Sequence, residues 1–320
     1  IGHMTKQELK ISLWETLDKH AEKFGISLKQ QVLTSRFSEL ILKLSEKHGK
    51  IVVLVDEYGK PLIDHIGFGE ERLKIAFENR SILKSFFGVL KDSDVSDVLR
   101  FLFLTGVSKF SHISIFSELN NLADLTMDKE YACLLGYTED EINKYFQPWI
   151  DKWAQNGKTS DLEIKDKLRR HYNGFRFTVA EEKVYNPISI LNALKNQDYQ
   201  AYWFETATPT FLANLIMEKN FYLPQIETES LLKESFSTYE LDNLAPIALM
   251  QQTGYLTFKD INFINDTPTF TFDFPNIEVK EAFLKFLMLK YGHPGTYKHL
   301  NLAQYLINKD FDRFINTIQK

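Results

Sequence analysis

Two short apolar runs, IVVLV at 51–55 and LRFLFLT at 99–105, flank an amphipathic segment of helix length, and this spacing limits the fold more than any other feature. Each run is consecutively apolar rather than alternating, so both are expected as strands buried on two faces, the condition of parallel sheets. Pro61 closes the first strand and Thr105-Gly106 the second. Residues 70–91 between them carry helical periodicity, which makes a βαβ unit with a right-handed crossover. A weaker third strand is expected at 122–127. Ligands of such sheets lie beyond the carboxyl ends of the strands. Asp56, Glu57, Thr105 and Ser108 all fall at that edge.

The remaining segments read as helices with one exception. Residues 5–48 form two helices that stop at Gly25 and Gly49, and Thr138 with the acids after it opens another. Pro187 sits in the first turn of a further helix, and 209–220 is helical too. Towards the C-terminus the order is helix, two-stranded ribbon, helix, as in a winged helix. The fold class expected is α/β: a parallel sheet, then a helical region, then a winged-helix-like region. The corresponding divisions are 5–135, 136–230 and 231–320. Residues 1–4, IGHM, read as a cloning remnant, which leaves room for Thr5 to lie inside a longer natural protein.

Composition narrows the class. A chain of 320 residues with 44% apolar and 25% charged residues can bury a full core as a soluble globular protein. Its net charge of −5 argues against wholesale coating of nucleic acid or anionic membrane, although a local basic groove is compatible with it. One cysteine, Cys133, excludes an intrachain disulfide and a cysteine-cluster metal site and fits a reducing compartment. No run of eighteen apolar residues occurs, so no membrane span is expected and a cytoplasmic location is.

The tip VVLVDEY admits two readings. A strand-end Asp can hold magnesium through water while a neighbouring Glu polarises the attacking water; equally, a strand can end in two solvated acids. Thr105, past the adjacent strand, can sense a γ-phosphate or cap the following turn. The phosphate-loop pattern G-x-x-x-x-G-K-[ST] occurs nowhere. The nearest approach, KWAQNGKTS at 152–160, has Lys152 in place of the first Gly and no strand before it, so a polar loop between helices is expected. Two segments, SDLEIKDK and FDFPNIEVK, mimic a magnesium nuclease, the second through Asp273, Glu278 and Lys280. GVSKF resembles a serine nucleophile elbow but carries Phe110 where the turn requires Gly. Eight scattered histidines offer no HExxH pair. The basic-aromatic stretch 165–177 ends in an Asn173-Gly174 turn, and its Arg169 and Arg176 are candidates for phosphate or carboxylate.

Taken in order, VVLVDEYGKPLID, LRFLFLTGVSKFSHISIFSELNNLADLTMD, YACLLGYTEDEI, HYNGFRF, VYNPISILNAL, YWFETATPTFL, LMQQTGYLTF and FPNIEVKEAF resemble the bacterial AAA-ATPase-like proteins, from about residue 30 to 290. Those proteins usually carry a C-terminal PD-(D/E)XK-type nuclease domain. The resemblance implies a partial P-loop-NTPase-like parallel sheet followed by a helical lid, with a Walker B strand ending at Asp56, which binds the metal, and at Glu57, which is catalytic. It implies a sensor at Thr105 and Mg2+ and ATP as cofactors of the intact protein, while Ser108 at the strand edge and Arg176 in the basic-aromatic stretch are the candidate cofactor contacts read from the residues. It also implies a phosphate loop on an upstream strand beside the sensor strand. Gly59 stands where the family usually has Asp, which weakens the metal site. The expectation is an NTPase core inactive alone. The other classes are a non-catalytic module binding protein or nucleic acid and, least favoured, a nuclease. A homo-oligomer is compatible with all of them.

Overall fold

Strands β1 (Ile51–Val55) and β2 (Leu99–Leu104) pair in parallel, with Val52 opposite Phe101 and Val55 opposite Leu104. This computed structural model describes residues 4–107, 122–203, 210–227, 229–232, 235, 241, 244–265, 267–291 and 312–313. Between the two strands run α3 (Lys60–Ile63), α4 (Glu70–Gly88), a single 3₁₀ turn at Val89–Lys91 and α5 (Ser93–Val98). The long, amphipathic α4 supplies Leu83, Phe86 and Phe87 to the core, where Phe86 stacks on Phe37 at 4.5 Å.

Ahead of the sheet, α1 (Lys6–Lys23) and α2 (Leu33–His48) pack on each other, and α2 packs on β1. Thr5 opens α1 with a capping box: it accepts from the Glu8 amide, and the Glu8 carboxylate accepts from the Thr5 amide at 2.7 Å. Met4 is tied in as well. Its carbonyl accepts from Asn79 Nδ2 at 2.8 Å and lies 2.9 Å from His65 Nε2, both side chains being buried.

The two-sided burial expected of the strands is found on one side. Val53, Val55, Leu102 and Leu104 pack on the main core. On the opposite face Val52, Leu54 and Phe101 are 49%, 69% and 53% exposed. Among the described residues the sheet has two strands, too few to be wrapped on both sides. The third strand expected at 122–127 is absent. There Asp124 accepts from the Thr126 amide and Asp128 caps a 3₁₀ turn, so side-chain oxygens take the amides that a ladder would need.

Four helices, α6 (Glu139–Tyr145), α7 (Gln147–Gly157), α8 (Asp161–Tyr172) and α9 (Pro187–Asn196), enclose a second core around Ile150, Leu168, Tyr172 and Ile190. Thr138 begins α6 with the capping box expected from its sequence. Gly157 ends α7, Lys158 adopts φ 49° and Ser160 caps α8, so the apparent phosphate-loop remnant is an interhelical turn.

The C-terminal portion contains α10 (Thr210–Glu218), β3 (Leu231–Leu232), α11 (Pro246–Gln252), β4 (Thr257–Ile264), β5 (Thr267–Asp273) and α12 (Ile277–Tyr291). The helix–ribbon–helix order is present, with β3 added antiparallel to β5. Phe258, Phe270, Phe272 and Phe283 from this region share one core with the N-terminal helices and sheet. Gly67 shows how closely the parts meet: a Cβ there would stand 2.8 Å from the Leu215 backbone of α10. No helix among the described residues is long and apolar enough to cross a membrane.

Candidate functional site

The parallel register carries β1 and β2 to the same end of the sheet. The Thr105 amide donates to the Val55 carbonyl at 2.8 Å, extending the ladder one step beyond the strands. One residue further, the Thr105 hydroxyl donates to Asp56 Oδ1, so the side chains that finish the two strands are hydrogen-bonded to each other. The rim inferred from the sequence is therefore present in the geometry of Asp56 and Thr105. Both acids, Asp56 and Glu57, are exposed.

Glu57 occupies a left-handed backbone conformation, φ 56°, which costs an L-residue about 1–3 kcal/mol. Tyr58 makes this turn worthwhile. Its amide donates to the Thr105 carbonyl at 3.3 Å, and its buried ring closes over Gly106. A Cβ on Gly106 would lie 2.9 Å from the Tyr58 ring, so only glycine admits the ring at this distance. Tyr58 and Gly106 thus fix the rim from behind, a role the sequence reading did not assign. The adjacency of Tyr to the DE pair and of Gly to the Thr was its visible signal.

The donor set is two carboxylates and a hydroxyl, all hard oxygens. Magnesium takes one or two carboxylates and completes its shell with water and substrate phosphate, so these residues suit it without a protein cage. No cluster of three or more His, Cys, Asp or Glu suited to a metal occurs among the described residues.

The other candidates lie apart from this rim or outside the description. Ser108 falls outside the described residues. Arg176 turns its guanidinium to backbone carbonyls, those of Ala180 at 2.6 Å, Val179 at 2.8 Å and Lys259 at 3.4 Å. No hydrogen bond joins it to Asp56, Glu57 or Thr105 among the described residues. Arg169 pairs with Glu139 at 3.0 Å, and the Tyr185 hydroxyl donates to the same carboxylate at 2.7 Å. Burial would raise the Glu139 carboxyl, but these two partners hold it below the usual range. Lys167 and Arg170 pair with Glu163 and Asp166. The basic-aromatic stretch is thus largely neutralised in place.

Asp273, Glu278 and Lys280 also face separate partners. Asp273 accepts from the Phe274 amide, and Lys280 lies 5.8 Å from the Phe274 ring. Glu278 is buried, accepting from Ser189 Oγ at 2.8 Å and from the Trp203 amide at 2.7 Å. Burial pushes its carboxyl up to about 7 against the pull of those hydrogen bonds.

Three comparisons bear on what the rim is. The model of a family described as predicted AAA-ATPase matches residues 2–116, the segment that contains both strands and the rim. An uncharacterized protein in the vnfD 5′ region of Azotobacter chroococcum mcd 1 is 37% identical over 286 residues, covering 89% of this chain. The alignment covers 52% of that relative, so the chain spans about half its length. No solved structure matches.

Proposed function

Residues 2–116 match the predicted AAA-ATPase family, and from that premise we propose that the chain carries the magnesium- and water-handling half of a nucleotide triphosphatase. One observation supports this reading above the rest: a strand-end Asp and the Thr of the neighbouring parallel strand share a hydrogen bond at the carboxyl edge of the sheet. In this reading Asp56 would hold the metal through water and Glu57 would polarise the attacking water. Thr105, hydrogen-bonded to Asp56 here, would offer its hydroxyl to the γ-phosphate. Magnesium, when bound, would neutralise charge that develops on the transferred phosphoryl group.

The reading also predicts what is missing. A carboxylate pair supplies metal affinity and a base but little grip on phosphate, which requires backbone amides from a glycine-rich loop. That loop's pattern does not occur in the sequence. We assign it to a segment outside these 320 residues that adds a strand along the outer edge of β2, where no strand lies among the described residues. The whole-protein features that go with the family, a lid at α6–α9, a winged helix at α11–α12 and an appended nuclease, belong to the same proposal.

The test compares this chain with the natural protein extended by its neighbouring sequence. The chain alone should show no ATP turnover above background. If the extended protein hydrolyses ATP, Asp56→Asn and Glu57→Gln should each lower kcat about 100-fold or more, a loss of about 3 kcal/mol. Turnover by the isolated chain that disappears in Glu57→Gln would overturn the need for an added loop. Full turnover in an extended Asp56→Asn protein would end the assignment of the rim.

A further inference from the structure

A groove of about 310 Å³ opens between α7 and α9, on the second core rather than at the sheet. Phe146, Trp149, Leu191 and Leu194 make it apolar, while Lys152 on α7 and Lys195 on α9 give each bank a cation. Helical spacing sets these side by side: Trp149 and Lys152 are three residues apart, Leu191 and Lys195 four. The Phe146 and Trp149 rings lie 6.2 Å apart, and Leu194 joins the groove to the core beneath it. At one end Asn156 Nδ2 donates to Gln197 Oε1 at 3.0 Å, which ties the last turn of α7 to the end of α9.

Both the apolar and the charged parts of this groove lack partners. Trp149 and Leu191 are 52% and 46% exposed, and Ile188, three residues before Leu191 on the same helix face, continues the apolar stripe into solvent. Lys152 and Lys195 make no hydrogen bond or ion pair among the described residues, whereas Lys167, Arg169 and Arg170 of neighbouring α8 each pair with a carboxylate. In a chain of net charge −5, two cations left without acids beside an apolar groove call for carboxylates from another molecule. Walls half in water do not enclose a free small molecule, whose pockets bury about 70–90% of its surface. A nucleic-acid strand needs a longer cationic track and successive stacking faces, and Ile188, Leu191 and Leu194 are aliphatic. An amphipathic helix meets both demands at once: its apolar side chains fill the groove and its acids reach the lysines.

We propose that the α7–α9 groove docks an acidic amphipathic helix of a different protein, its apolar anchors between Trp149 and Leu191 and its carboxylates at Lys152 and Lys195. The site belongs to the second core and does not depend on the triphosphatase reading of the rim.

The probe is a synthetic helical peptide with Leu and Phe on one face and Glu on the other, titrated into the full chain by calorimetry. Saturable binding is expected, and it should weaken as salt rises. Lys152→Glu combined with Lys195→Glu, both at exposed positions, should weaken it about tenfold or more. The same double variant should bind a peptide with Lys in place of Glu better than the parent chain does, a gain that mere loss of structure cannot produce. Leu191→Asp should weaken binding of the acidic peptide comparably, with thermal melts of all variants close to the parent's because the positions are exposed. Asp56→Asn should leave peptide binding unchanged. Absence of peptide binding, or binding indifferent to the charge reversal, would overturn the proposal. So would 4-phenylbutyrate binding as tightly as the peptide, oligo(dT) binding in its place, or self-association of the chain that Leu191→Asp abolishes, since these assign the groove to a small molecule, a nucleic acid or a second copy.

Discussion

Glu278 carries a charge problem that the fold solves by withholding the charge. Its carboxyl is 4% exposed and meets a hydroxyl and an amide but no cation among the described residues, so burial raises its pKa to about 7. A folded-state pKa above the unfolded value of about 4.5 means that the folded chain binds this proton more tightly. The stabilisation is therefore complete below about 4.5 and is lost as pH rises through about 7. Its full span is on the order of 3 kcal/mol. Glu278→Gln keeps an acceptor for Trp203 and has no proton to lose. Thermal melts of the variant should vary less than the parent's between about pH 5 and 8, and at the upper end the variant should be at least as stable. Equal slopes for the two proteins would show that Glu278 titrates normally.

The two-stranded sheet shows at the level of elements what periodicity does and does not reveal. Leu54 is exposed and Val53 packs on the core, although they are neighbours in one apolar run. Leu54→Thr should change stability by less than about 0.5 kcal/mol, whereas Val53→Thr should cost about 1–2 kcal/mol, read from urea denaturation. Similar costs at both positions would mean that the outer face is covered. The strand limits, the N-cap at Thr138 and the rim of Asp56 and Thr105 were legible because each depends on a few adjacent residues or on strand direction. The bare face was not, because a run of valines and leucines does not say how many layers will cover it. Arg176 was not legible either. Its partners, the carbonyls of Val179, Ala180 and Lys259, are backbone groups that every sequence supplies, and only the closed loop aims them.

Across the whole molecule, two cores are joined by a few close contacts. Gly174, at φ 115°, lies so near the β5–α12 turn that a Cβ would stand 1.9 Å from the Pro275 carbonyl oxygen. The Ser189–Glu278 hydrogen bond ties α9 to α12 in the same region. Gly174→Ala should therefore cost about 3 kcal/mol or more, through both backbone strain and forced separation of the two cores, as measured by chemical denaturation. A near-neutral effect would show that the loop and the turn can part freely. The molecule's outer sheet face has a calorimetric consequence. Val52, Leu54 and Phe101 already meet water in the native chain, so melting adds little to their hydration. The heat-capacity increment of unfolding should accordingly fall below that of a 320-residue protein whose central sheet is sandwiched, and docking of a covering layer should restore it.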